Sequence, residues 1–385
     1  MKVLLVEPAF PIPVKSRNHA HFLPIGLLKI GTLHRSQGDE VHLVRGLEQA
    51  PWAPDLVLVT SLFTYWSSFV HDATTFYHRE YPHARVEVGG VYASLMPDDC
   101  RQRSPFAEVR KGLYLDGAAE ALPVDYSLLP EPVDYQIVHA SRGCKRHCAF
   151  CGTWRIEPEF TYKRTILGEV QKPKVVFYDN NLLANPHIDR VLDELAAMRL
   201  SGGRRVQWEC QSGLDLRYLS ERRVQMLRQS RMVFPRIAWD GPFGAASRIG
   251  HAVNLLKSVG YGRRDIFIFM LYNHAIQFDE MVAKLDACRR LGVRVVDCRY
   301  RPLDATADGY RPGAAGQPDG SYFIYPGWTD AQVRSFRQRV RRQNIAVMLN
   351  LPDGRYIPGC ESRLVGPPPY RKGRLIPDAS PVMSA

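Results

Sequence analysis

Residues 141–152 read Ser141-Arg142-Gly143-Cys144-Lys145-Arg146-His147-Cys148-Ala149-Phe150-Cys151-Gly152. The cysteines stand at a Cys-x3-Cys-x2-Cys spacing on a glycine-flanked loop, directly after a segment over 136–140 that reads as a strand. Thiolates this close in sequence, at the carboxyl end of a strand, can ligate three corners of an iron–sulfur cubane, which ordinarily takes four cysteines. A trio leaves one iron open, and an open coordination position makes a metal centre reactive. Structural zinc is the competing reading. It wants four ligands, commonly in two Cys-x2-Cys pairs. His147 adjoins Cys148, where ligation would strain the loop, and no second Cys or His pair lies nearby. Chance burial of three thiols beside Lys145 and Arg146 is poorer still. The loop therefore points to iron–sulfur chemistry at Cys144, Cys148 and Cys151.

Outward from the loop, strands and helices alternate. Strands are expected over 136–140, 174–178, 206–211, 235–239, 265–272 and 293–299, with helices over 165–171, 186–200, 221–228, 245–259 and 278–291. Repeated strand–helix units of about 30 residues predict a (β/α)6 partial TIM barrel over 135–301, smaller than the eight-fold barrel. Upstream, strands over 2–6, 41–44, 56–60 and 85–88, with helices over 25–37 and 69–80, predict a doubly wound parallel sheet. Ligands of such sheets bind at the carboxyl ends of strands, so the loops after Val6, Thr60 and Val88 form its candidate face. The expected division is an N-terminal Rossmann-like unit over 1–113, a Pro- and Asp-containing connector over 114–134, the barrel over 135–301, and a C-terminal extension over 302–385. That extension holds a Gly/Pro/Asp-rich loop with Tyr322, Phe323, Tyr325 and Trp328. A helix over 329–344 comes next, with Val333, Phe336 and Val340 inward and a row of arginines outward, then a tail with Pro367-Pro368-Pro369.

The cysteine loop resembles the signature of the radical S-adenosylmethionine (SAM) enzymes, including the aromatic Phe150 before the third cysteine. The resemblance implies that Cys144, Cys148 and Cys151 bind a 4Fe-4S cluster, that the amino and carboxylate groups of SAM take the fourth iron, and that Phe150 lies near the adenine. One electron then cleaves SAM to methionine and a 5′-deoxyadenosyl radical, which abstracts hydrogen from the substrate. The runs Pro24-Ile25-Gly26-Leu27-Leu28-Lys29-Ile30-Gly31 and Pro54-Asp55-Leu56-Val57, then Gly89-Gly90, resemble the cobalamin-binding-type domain that precedes the barrel in one large subgroup.

The positions that hold SAM in that family match more loosely. In place of a Gly-Gly-Glu-like turn after the second barrel strand stands Tyr178-Asp179-Asn180-Asn181, whose carboxylate and amides, Asp179 and Asn180 foremost, can accept from an ammonium. These are also favoured turn residues. Asp240 ends the fourth strand, where a carboxylate could accept from ribose hydroxyls, and strand-end carboxylates on a barrel's open face tend to be functional. Tyr272 and Asn273 end the fifth strand in the same way. Glu209 and Gln211 alternate on the third strand and point inward together, unless Glu209 is a paired core charge. Cobalamin is an alternative cofactor that the sequence does not favour. Many members of the subgroup grip cobalt through an Asp-x-His-x-x-Gly loop. The corresponding place here holds Pro8-Ala9-Phe10-Pro11-Ile12-Pro13 and then His19 and His21.

Composition bounds the remaining choices. Hydrophobic residues make up 45% and charged residues 23%, as in an ordinary globular enzyme. No apolar run nears the ~18 residues of a membrane-spanning helix. The first residues run into a strand without the features of a signal peptide. Cys100, Cys210, Cys288, Cys298 and Cys360 are scattered, unlike a secreted disulfide framework. The expectation is a cytoplasmic protein with no membrane partner. Of the net charge of +12, residues 1–130 contribute 12 basic and 14 acidic residues, so the excess lies wholly in the remainder, which carries the cysteine cluster. That balance suits an anionic substrate or nucleic acid, or only solvated helix faces. Two functional classes are compatible with these features. One is a radical SAM enzyme on an unidentified substrate, served by a flavodoxin- or ferredoxin-type electron donor, with a cobalamin-dependent methyltransferase as its variant. The other is a nucleic-acid-binding protein with a structural or redox-sensing cluster, whose phosphate contacts would be Arg334, Arg337, Arg339, Arg341 and Arg342. No recognised nucleic-acid motif accompanies it.

Overall fold

The computed structural model describes residues 1–12 and 22–351. Pro13, His19, His21, Cys360 and the Pro367-Pro368-Pro369 run lie outside the described residues. The chain begins with β1 (Lys2–Glu7), α1 (Ile25–Ser36), β2 (Glu40–Arg45), β3 (Leu56–Ser61), α2 (Ser67–Glu80) and β4 (Arg85–Gly90). Two short helices, α3 (Val91–Leu95) and α4 (Pro97–Arg103), lead to β5 (Glu108–Val109). All five strands pair parallel in the order β2-β1-β3-β4-β5. The continuous apolar run of β1 is what a strand covered on both faces requires. Val3 and Leu5 pack on one side with Leu27, Leu28 and Leu58, while Leu4 and Val6 pack on the other with Val57, Val70 and Val88. The first of these faces also packs against Leu128, Tyr135, Ile137 and Val176, so the N-terminal sheet shares a core with the C-terminal part of the chain.

The second unit comprises β6 (Tyr135–Val138), β7 (Ser141–Arg142), α5 (Thr153–Ile156), β8 (Thr161–Tyr162), β9 (Lys174–Phe177), α6 (Ile188–Ala197), β10 (Gln207–Cys210), α7 (Glu221–Gln229), β11 (Arg236–Ala238), α8 (Ala246–Ser258), β12 (Phe267–Tyr272), α9 (Phe278–Arg290), β13 (Arg294–Arg299) and α10 (Asp330–Leu349). Three strands form a parallel sheet in the order β10-β9-β6, and three more form one in the order β11-β12-β13. Isolated parallel bridges, Trp208↔Met232 and Leu214↔Ile237, join the two. Gly213 stands at this seam, where a Cβ would come within 2.9 Å of the Ala238 Cβ.

Two expectations for this unit are corrected. Residues 165–171 are a turn, not a helix. Ile166 and Val170 have helical spacing and are buried, but Gly168 is left-handed at φ +86° and the Glu194 carboxylate takes the Ile166 N–H at 3.0 Å. The arginines of α10 are only in part an outward row: Arg339, Arg341 and Arg342 are exposed, whereas Arg334 and Arg337 turn inward. Its capping box, Thr329 with Gln332, and its buried Val333, Phe336 and Val340 set its rotation. Arg334 is thereby held by Asp330 at 2.8 Å and by the Ala314 carbonyl at 2.6 Å, and Arg337 faces Asp297 at 3.6 Å. Among the described residues no helix is long and apolar enough to cross a membrane.

Candidate functional site

The cysteine loop is a closed structure. β7 and β8 pair antiparallel through Ser141↔Tyr162 and Arg142↔Thr161, pinning both ends of 143–160. Glu157 reinforces the closure, accepting from Arg142 and, at 2.8 Å, from the Gly143 N–H. Gly143 is required there: its φ is +70°, and a Cβ would meet the Glu159 carbonyl at 2.2 Å. Within the loop the Cys151 N–H donates to the Cys148 carbonyl at 3.0 Å, and the Trp154 indole donates to the same carbonyl at 3.1 Å.

All three thiols are half-buried and unpaired by disulfides. Strand ends reach toward them. The Cys151 thiol donates to the Thr153 hydroxyl at 3.3 Å, which donates in turn to Asn180 Oδ1 at 3.3 Å. Asn181 Nδ2 lies 3.9 Å from Cys144 Sγ and donates to Asp215 at 3.0 Å. Burial pushes the Cys148 thiol up, opposed by the Arg146 guanidinium. Among the described residues no three His, Cys, Asp or Glu side chains converge as they would around one metal ion. A cubane makes a different demand. Each iron takes its own thiolate, so its cysteines stand around a cube and not about a point. Three half-buried thiols on one pinned loop, with no fourth ligand among them, fit that demand better than a mononuclear site.

Beside Cys151 opens a cavity of about 190 Å³, walled by the loop (Phe150), by strand ends (Gln211, Asp240) and by the N-terminal unit (Phe63, Tyr65, Leu95). Phe150 meets the His274 ring edge-on at 5.8 Å. Burial raises the Asp240 carboxyl, against the pull of Arg146 and Lys284. Gln211 Oε1 on the cavity wall and Asn181 Oδ1 beside Cys144 are buried acceptors that bond nothing among the described residues. A ligand carrying several donors, such as the ammonium and ribose hydroxyls of SAM, fits acceptors left open in this way.

Of the residues singled out from the sequence, Phe150 and Asp240 reach the cavity and Asn180 reaches the loop. Asp179 does not face it. Its oxygens accept from the Ala140 N–H at 3.1 Å and the Ser141 hydroxyl at 2.6 Å, which fastens the end of β9 to the start of the hairpin. Burial lifts its carboxyl to about 6. Asn273 is fully buried, donating to the Phe323 carbonyl and accepting from the Tyr325 N–H, both at 2.9 Å. It anchors the loop over 300–329. Glu209 is the paired core charge, accepting from Arg236 at 2.6 Å. Sequence reasoning missed Thr153, Arg299 and Arg301, and it reached the loop after Thr60 without singling out Phe63 and Tyr65. The strand-end argument applied to Asp240 would have reached Arg299 at the end of β13. The N-terminal unit contributes Phe63, Tyr65 and Leu95 from the segments that follow β3 and β4, the side on which the strand-end rule places its candidate face.

Sequence comparison finds no matching family model and no matching curated protein. Solved structures do match. The radical S-adenosylmethionine methyltransferase TsrM from Kitasatospora setae, with cobalamin and a 4Fe-4S cluster bound, superposes with a TM-score of 0.64 at 13% identity, covering 89% of this chain and 88% of that one. The cobalamin-dependent S-adenosylmethionine radical enzyme OxsB gives a TM-score of 0.43 at 14% identity, over 77% of this chain and 52% of that one. Streptococcus suis SuiB bound to precursor peptide SuiA gives 0.37 at 12%, over 56% and 47%. The last two likenesses are too partial to carry an argument. The first shows that nearly the whole chain takes the fold of a radical SAM enzyme.

Proposed function

We propose that the chain is a radical SAM enzyme whose two three-stranded sheets act as one (β/α)6 partial barrel, over 135–301. The N-terminal unit, 1–113, reaches it through the connector 114–134 and, with the extension from 302 onward, closes the site. One observation carries the reading: Cys144, Cys148 and Cys151 lie on a pinned loop that opens onto a cavity at the strand ends. A 4Fe-4S cluster held by these thiols would supply the electron that cleaves SAM reductively, so that hydrogen is taken from an unidentified substrate. Around that chemistry the chain's own residues position and exclude. Asp240 accepts from the ribose hydroxyls, Phe150 packs beside the adenine, and Asn180 and Gln211 offer amide oxygens. Phe63, Leu95 and Leu271 keep water from the reacting groups. Lys145, Arg146 and His147, exposed beside the thiols, suit an acidic electron donor of the flavodoxin or ferredoxin kind.

Protein reconstituted anaerobically with iron and sulfide should carry one cluster and, once reduced with SAM present, form 5′-deoxyadenosine. Replacing all three cysteines by Ala should abolish both. Stoichiometric zinc without iron in the anaerobic wild type would refute the proposal. Iron without 5′-deoxyadenosine would favour the nucleic-acid-binding class, although Arg334 and Arg337, turned inward, no longer offer phosphate contacts.

A second reading, a cobalamin-dependent methyltransferase, is favoured by the likeness to TsrM along most of the chain. The described residues do not fit a corrin at the carboxyl edge of the N-terminal sheet. Phe10 stacks on Trp66 at 5.5 Å, and Phe63 on Tyr65 at 5.0 Å, across the ends of β1 and β3. The Ser61 hydroxyl is spent on the Gly89 carbonyl and the Ala93 N–H.

A further inference from the structure

One wall of the cavity carries a charge that the groups bonded to it, among the described residues, do not balance. Arg299 ends β13 and Arg301 opens the next loop, and both line the cavity. Both donate to the same oxygen, Oδ2 of Asp308, Arg301 through Nε at 2.5 Å. Two guanidinium groups, 3% and 19% exposed, thus share one carboxylate. Asp297 beside them is faced by Arg337 at 3.6 Å and offers no spare charge. Aromatic faces help only in part. Tyr310 lies 4.4 Å from the Arg299 guanidinium and Tyr65 lies 4.6 Å from that of Arg301. Burial pushes the Tyr65 phenol up to about 12, so it supplies a ring quadrupole and not a counter-ion. Arg299 Nε and Nη1 bond no acceptor among the described residues. Arg301 spends Nη1 on the Arg299 carbonyl at 3.4 Å, which leaves Nη2 for a ligand. An excess cation away from water is costly unless an anion meets it.

Resting on the reading above, we infer that this wall binds the carboxylate of the substrate, an acid with an apolar body, through Arg301. Facing walls of Leu95, Ile156, Phe269, Leu271 and Leu303 suit that body. A carboxylate matches the single uncompensated charge and can accept a charge-assisted bond from Nη2. A phosphate dianion would exceed that charge. SAM also bears a carboxylate, so the two sources must be separated.

Hexanoate and 1-hexanol, an acid and a neutral probe of similar length, are titrated by calorimetry into reconstituted protein, without and with saturating SAM. Hexanoate should bind at least tenfold more tightly than hexanol, should remain bound when SAM is present, and should lose its advantage in Arg301→Gln, with SAM affinity unchanged within twofold. Equal binding of the two probes by the wild type overturns the inference, whether or not the variant folds. Displacement of hexanoate by SAM, or a tenfold weaker SAM in Arg301→Gln, assigns the wall to SAM's own carboxylate and also overturns it. The same preparation is assayed for 5′-deoxyadenosine. Hexanoate preference without that product would leave an anion site but refute its assignment to the substrate of a radical enzyme.

Discussion

Asp240 and Lys284 lie on either side of the end of β11, and burial holds both away from their ordinary ionisation. Asp240 makes no hydrogen bond among the described residues although it faces the cavity, so a ligand donor is the partner its environment calls for. Asp240→Ala should keep its iron and bind SAM more weakly by roughly 1.5–3 kcal/mol, the worth of a hydrogen bond to a charged group. Calorimetry with an unchanged affinity would remove it from the site. Lys284 is fully buried and donates to the carbonyls of Trp239 at 2.8 Å and Gly241 at 2.9 Å, which holds the turn that carries Asp240. Burial lowers its ammonium from 10.5 to about 8. Between those values the unfolded chain binds the proton that the folded chain has released, so folding stability rises with pH across that window. Below about 8 both states are charged, and the full penalty of the buried charge is present. Denaturant midpoints for wild type and Lys284→Met should therefore diverge in favour of the wild type from pH 8 to 10.5. Parallel curves would show that Lys284 titrates in the fold as it does in water.

The hairpin of β7 and β8 is the smallest sheet among the described residues, yet it decides where the thiols stand. Gly143→Ala would force a left-handed alanine against the Glu159 carbonyl, at a cost of about 1–2 kcal/mol or more. The expected outcome is a protein that folds but takes up less iron on reconstitution, read by iron content per chain beside a melting curve. Full iron occupancy would mean that the pinned ends are dispensable. This hairpin also marks the limit of what local sequence reveals, because strands of two residues have no alternation to read. The long strands were legible: the apolar runs around 267–272 and 294–299 emerge within a residue or two of where their composition placed them. The trio at 144, 148 and 151 was legible because spacing and strand context agree. Asn273 and Arg334 were not, since each answers to a loop about twenty to fifty residues away that no periodicity connects to it. The expected helix over 165–171 failed on Gly168 and a distant carboxylate, where tertiary contacts overrode spacing.

At the scale of the whole molecule, the cavity belongs to both units, and the N-terminal sheet sends Phe63 and Tyr65 into its wall. On the reading that the N-terminal unit binds no cobalamin, purified protein mixed with hydroxocobalamin and desalted should retain no corrin absorbance. Stoichiometric retention together with methyl transfer from SAM would promote the methyltransferase reading. The pinned cysteine loop has a consequence for assembly as well. In a zinc finger the unfolded peptide gathers its ligands as the metal arrives, and binding free energy becomes folding free energy. Here the ends of 143–160 are joined by backbone pairing that needs no iron. The entropy of closing that loop is therefore lost when the polypeptide folds, ahead of any encounter with the cluster. Maturation then becomes the docking of a preformed inorganic unit onto a waiting scaffold, and chaperone-delivered iron would meet a receptor instead of a search.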